Sequence, residues 1–170
     1  MIHLATRAYR RLLLEVLGAF QTETGGALLG ELGQDQAWAV ESIDPGPRAV
    51  LEPAYFEFDH EYMTHLANRV AAEYRQPPRL IGLWHRHPGS LDRFSSLDHR
   101  TNHSFAALCG GRALSGLVNL DPDLRLTFYE VEARGEPGEH VAEITPEQAA
   151  AGLPGVLYRR LPVSLGDAGI

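Results

Sequence analysis

Residues 79–84, Arg-Leu-Ile-Gly-Leu-Trp, form a short apolar run with hard stops on both sides. Gln76-Pro77-Pro78 ends whatever precedes it, and Pro88-Gly89 turns the chain away after it. A run this short and this apolar reads as a strand flanked by other strands, buried on both faces. The chain must therefore build a sheet around it. The run leads directly into His85-Arg86-His87, so the middle of that sheet ends in two imidazoles.

The other elements are read around this strand. With 170 residues, 44% hydrophobic and 22% charged, the chain is an ordinary globular composition able to enclose one core. Residues 6–19 are expected to be helical, with Leu13, Val16, Leu17 and Phe20 on the apolar face. Strands are expected at 25–31, 37–43 and 50–58, the last with Pro53 marking an irregular or edge position. Asp44-Pro45-Gly46-Pro47 is turn chemistry. Asp59 is a good N-cap for a helix over 60–75, with Met63, Leu66, Val70 and Tyr74 sharing one face. A second core helix is expected at 97–108, ended by Cys109-Gly110-Gly111. Residues 113–120 and 124–131 read as a hairpin across Asp121-Pro122-Asp123. From Ala133 onward Gly and Pro increase, and 145–152 is expected to form one short helix with Thr145 as cap and Pro146 at its first position. No repeat and no second domain are visible. The fold class is mixed α/β, with the main domain over 1–132 and an extension over 133–170 belonging to the same domain.

The formal net charge of −7 argues against a general nucleic-acid or anionic-membrane binder, either of which wants a basic face. The single cysteine, Cys109, cannot form a disulfide within the chain, and points to a reducing compartment. The N-terminal apolar run is short and interrupted by Glu15, so it does not read as a signal peptide, and nothing approaches the length of a membrane span. A cytoplasmic protein is expected. All 15 basic residues are arginine, which fits genomic base composition or selection against modifiable amines.

The stretch from Trp84 to Asp98 carries the chemistry. Side chains two apart on a strand point the same way, so His85 and His87 can converge on one ion. Asp98 falls in the first turn of the next helix, where its carboxylate can return toward the strand end. Two nitrogens and one carboxylate oxygen are three protein ligands, the pattern of a catalytic zinc with a fourth position for water. Ser95 and Asp98 also read as a capping box, and the cap would hold the ligand in place. A metal-bound water still needs a base, and no His-Glu-x-x-His helix supplies one. Glu23 in Glu-Thr-Gly-Gly-Ala-Leu-Leu-Gly is available, although read alone it is a solvated loop acid. Ser95 could donate to a developing oxyanion. Arg86 and Arg93 flank the site and could contact substrate or be solvated. His99 and His103, four apart, read as polar-face or supporting residues, and Cys109 as a buried thiol.

Together Glu23, His85-Arg86-His87 and Ser95-Ser96-Leu97-Asp98 resemble the JAMM metalloproteases of the JAB/MPN family, over about residues 6–131. That resemblance implies a curved mixed sheet flanked by helices, of the cytidine-deaminase-like JAB/MPN architecture. It also implies one catalytic Zn²⁺ and cleavage after the C-terminal glycine of ubiquitin-like proteins. Carried over, His85, His87 and Asp98 are the metal ligands, Glu23 the base and Ser95 the oxyanion donor. Short connections at 44–50, 75–80 and 109–113 leave little room for the insertions of eukaryotic deubiquitinases. The compact form is similar to bacterial JAB peptidases, some encoded in antiviral operons beside E1- and E2-like enzymes, others processing sulfur-carrier proteins. A non-catalytic MPN-type binding module is the reading from another class.

Overall fold

The computed structural model describes residues 1–19, 21–133 and 156–166. Its elements run β1 (Ile2–Leu4), α1 (Thr6–Gly18), β2 (Thr24–Leu32), β3 (Ala37–Ile43), β4 (Val50–Glu52), β5 (Tyr55–Glu57), α2 (His60–Ala72), β6 (Arg79–Arg86), α3 (Ser96–Leu108), β7 (Arg112–Asn119), β8 (Arg125–Ala133), β9 (Val156–Leu161) and β10 (Val163–Leu165). The helix expected at 145–152 and residue Phe20 lie outside the described residues.

Eight strands form one mixed sheet in the order β10-β1-β3-β2-β6-β7-β8-β9. β6, which contains the apolar run 79–84, is interior: it pairs antiparallel with β2 and parallel with β7, although Arg79 and Leu80 at its start are exposed. Alternation along the strands divides the core. Leu28, Trp84, Leu114 and Val118 pack under α1 with Ala8, Leu12 and Val16. Ala27, Leu29 and Ile43 face the other way, toward Met63 of α2. Ala113 and Val131 meet Ala106 of α3 on that second side. The sheet thus carries α1 on one face and α2 and α3 on the other, so each strand residue is committed to one face.

The two glycines of Gly25-Gly26 are required by close approach. A Cβ at Gly25 would lie 2.5 Å from the Trp84 carbonyl oxygen and 2.6 Å from the Phe56 ring. One at Gly26 would lie 2.3 Å from the Ile43 carbonyl oxygen. Trp84 fills the space so made, fully buried, with its indole N–H donating to Ser42 Oγ at 2.9 Å.

Three expectations are corrected. The buried face of α1 is Ala8, Leu12 and Val16, while Leu17 is exposed. Residues 50–58 are not one strand: Pro53 and Ala54 form a turn, and β4 and β5 pair as a small separate hairpin. α2 ends at Ala72, short of 75.

The end of the described chain shapes the whole sheet. β9 pairs antiparallel with β8, and β10 pairs parallel with β1, with only Pro162 between them. The Ile2 N–H donates to the Pro162 carbonyl at 2.8 Å. One segment therefore supplies both end strands of the sheet, and the sheet curls on itself. No helix among the described residues is long and apolar enough to cross a membrane.

Candidate metal centre

β6 and the residue that directly follows it deliver the two histidines to the α3 side of the sheet, where His85 and His87 are almost fully buried. The chain then turns at Gly89, with φ +73°, and re-enters a helix at Ser95. A complete capping box sets that entry. Ser95 Oγ accepts from the Asp98 N–H at 3.2 Å, and Asp98 Oδ2 accepts from the Ser95 N–H at 2.6 Å. The cap satisfies two donors that the first turn leaves open. It also aims the Asp98 carboxylate back at the strand.

The result is a tight group. His85 Nε2 and His87 Nε2 lie 3.1 Å apart. Asp98 Oδ1 is 3.5 Å from His85 Nε2, and Asp98 Oδ2 is 3.4 Å from His87 Nε2. A tetrahedral ion with bonds of about 2.0–2.1 Å needs donor atoms roughly 3.3 Å apart. The two histidine nitrogens lie near that spacing, each has one Asp98 oxygen near it, and the three groups offer the nitrogen and oxygen donors zinc accepts. His85, His87 and Asp98 could hold a metal ion.

The electrostatics agree with the geometry. Burial pushes the Asp98 carboxyl up, but hydrogen bonds from His85, His87 and Ser95 more than offset it, and the group lies well below the usual carboxylate range. For His87 burial acts downward, yet Asp98 and Glu23 raise it above its ordinary value. The Glu23 carboxylate stands 3.9 Å from His87 Nε2. Burial raises the Glu23 carboxyl, with the Asp98 charge adding to the rise and His87 and His85 opposing it.

Glu23 sits on a pinned loop. The Glu23 N–H donates to the Glu52 carbonyl of β4 at 2.8 Å. Thr24 Oγ1 donates to Glu15 Oε1 of α1 at 2.5 Å. Arg86 donates to the carbonyls of Ala19 and, at 3.1 Å, Thr22. Arg86 is only 3% exposed. Alternation places it on the α1 side, opposite His85 and His87, where it meets this loop. Arg93 is exposed, as is Ser95.

An aromatic wall closes one side, and the sequence reading missed it. The Phe94 ring lies 5.7 Å from His85, 5.5 Å from Tyr129 and 5.6 Å from Tyr158. The Tyr158 hydroxyl shares a 2.8 Å hydrogen bond with His99 Nδ1, and burial pushes its pKa up to about 12. Burial lowers the pKa of His99, with the Asp98 charge opposing it. Phe94 could have been suspected from its place between the histidines and Ser95. Tyr158 carries no local signal, since only the pairing of β9 with β8 brings it here. Cys109 is half-buried at the end of α3, its thiol raised by burial. A separate apolar groove of about 830 Å³ runs between α2 and α3 and contains none of these ligands.

A curved mixed sheet whose central strand supplies two histidines, answered by a carboxylate from the next helix, defines a JAB-type domain. The family model for prokaryotic homologs of the JAB domain matches residues 5–120, and the chain belongs to that family. It is similar over 99% of its length to the solution structure of protein DSY2949 from Desulfitobacterium hafniense, of which it covers 94%. That similarity has a TM-score of 0.61 at 18% identity, and it speaks to the fold. None of the curated proteins matches the chain.

Proposed function

We propose that this chain is a zinc-dependent peptidase or isopeptidase that hydrolyses the bond after the C-terminal glycine of a ubiquitin-like modifier. The observation that carries the reading is the convergence of His85, His87 and Asp98 with the Glu23 carboxylate 3.9 Å from His87 Nε2. Zinc, when bound, would lower the pKa of its water to about 7 and polarise the scissile carbonyl. Glu23, raised by burial, takes a proton from the attacking water. It returns that proton to the leaving amine as the C–N bond breaks, giving the free modifier carboxylate and an amine. The Ser95 hydroxyl already accepts from the Asp98 N–H, so its own proton is left to point at the developing oxyanion. Phe94 and Tyr158 keep water from the His85 side.

The partners on this reading are a ubiquitin-like protein or its conjugates, with E1- and E2-like enzymes acting upstream of it in the cytoplasm. Zinc-loaded protein is offered glycine-tailed modifier precursors and isopeptide conjugates. Wild type is expected to cleave at least one, and Glu23→Gln to lose on the order of 10²–10⁴-fold in rate while still holding one zinc. Cleavage of precursors alone would favour sulfur-carrier processing. Undiminished cleavage by Glu23→Gln removes the base from the mechanism, and zinc binding without any cleavage by wild type leaves a binding module.

A further inference from the structure

One strand does more than present the metal ligands. His85 and His87 leave β6 toward α3, and Arg86 between them leaves it toward α1. There its guanidinium is 3% exposed. Burying that charge costs several kcal/mol unless hydrogen bonds satisfy it. The carbonyls of Ala19 and Thr22 accept from it. Both bonds come from Nη1, whose two N–H groups lie in the guanidinium plane, so two carbonyls three residues apart are drawn to one point fixed by the strand. The next two residues are held from other directions: the Glu23 N–H by Glu52, and the Thr24 hydroxyl by Glu15. Three consecutive residues are thus tied to β6, β4 and α1 in turn.

We infer that Arg86 is a positioning residue that holds the Glu23 carboxylate against the His85-His87 pair by fixing the peptide that precedes it. The inference rests on the reading of Glu23 as proton acceptor given above. Arg86 stands on the far face of the strand and touches neither substrate nor ligand atoms. Its effect passes through the Thr22 carbonyl into the backbone of Glu23. A single strand therefore sets the register between ligands and base, because all three are referred to residues 85–87.

The test compares Arg86→Met and Arg86→Lys with Val131→Ala, a destabilising control in the cluster under α3, on the face of the sheet opposite Arg86. Four quantities are measured: kcat, KM, zinc per chain, and amide hydrogen exchange at residues 22–25. Arg86→Met is expected to keep its zinc and its KM within about twofold, while kcat falls roughly 30-fold or more, as displacements near 1 Å do. Exchange at 22–25 should rise in Arg86→Met and not in Val131→Ala. Arg86→Lys should recover part of kcat, and it carries the test alone if the methionine variant does not fold. Wild-type turnover in Arg86→Met, or a kcat loss no larger than that of Val131→Ala, overturns the inference. Should wild type cleave nothing, the proposed function fails separately. Exchange then decides this point: faster exchange at 22–25 supports the anchor, and unchanged protection refutes it.

Discussion

Asp98 caps a helix and faces a candidate metal site with the same two oxygens. Oδ2 accepts the Ser95 N–H at 2.6 Å, and the two oxygens lie 3.5 and 3.4 Å from the histidine nitrogens. These roles are separable by one atom. Asp98→Asn keeps a side-chain oxygen for the cap and loses the negative charge that makes the ligand. Zinc affinity should fall by at least ~100-fold, since even groups that only support a ligand cost 10–100-fold when removed. Helix content by circular dichroism should stay constant. Competition against a chromophoric chelator measures the affinity, and an unchanged value would mean that Asp98 is not a ligand. The same residue-scale logic explains Arg86. The strict alternation that put two histidines on one face also required their neighbour to point the other way, into the loop before β2.

At the scale of elements, α3 is the part whose start matters most to the site. Ser95 caps it, and losing a serine cap costs about 1 kcal/mol, which for a chain of this size is roughly 2–4 °C in Tm. Ser95→Ala removes both the cap acceptor and the hydroxyl donor. Ser95→Asp restores the acceptor alone. Thermal unfolding should therefore show Ser95→Ala a few degrees low and Ser95→Asp near wild type, with turnover depressed in both. Full turnover in Ser95→Ala would strip Ser95 of any role beyond the cap. β6 and α3 were legible in the sequence because each carries hard punctuation: Pro77-Pro78 and Pro88 around the strand, the capping box before the helix. α1 was legible as a helix but not in its phase, because Leu12-Leu13-Leu14 offers an apolar residue to every face. Residues 50–58 satisfied a strand pattern on both sides of Pro53, which hid the turn between β4 and β5. β1 and β10, three residues each, are too short to show a period, and only their pairing defines them. The candidate metal ligands were readable as spacing; the aromatic wall was not, since Tyr158 arrives from β9.

At the scale of the molecule, closure of the sheet depends on how residues 156–165 are fastened. Leu161 is buried in the main core, and Glu130 of β8 holds the neighbouring surface together. Arg112 of β7 and Arg159 of β9 both donate to its carboxylate, Arg159 Nε at 3.0 Å. The same two arginines reach the turn between β2 and β3, Arg112 at the Gly33 carbonyl (3.0 Å) and Arg159 at that of Gln34 (3.4 Å). Burial raises the Glu130 carboxyl, but its hydrogen bonds from Arg159 and Arg112 dominate, and it lies below its ordinary value of 4.5. A carboxyl depressed in the folded state stabilises the fold above its unfolded value, and that contribution is lost as pH falls through the folded one. Glu130→Gln should therefore cost about 1–2 kcal/mol at neutral pH, kept modest because both arginines are partly solvated. The gap between variant and wild type should narrow below about pH 4.5, where the unfolded carboxyl is already protonated. Thermal unfolding of both proteins across that range reads the difference. A gap that stays constant with pH would assign the loss to packing at β8 and not to the charge that ties β7, β8 and β9 to the turn between β2 and β3.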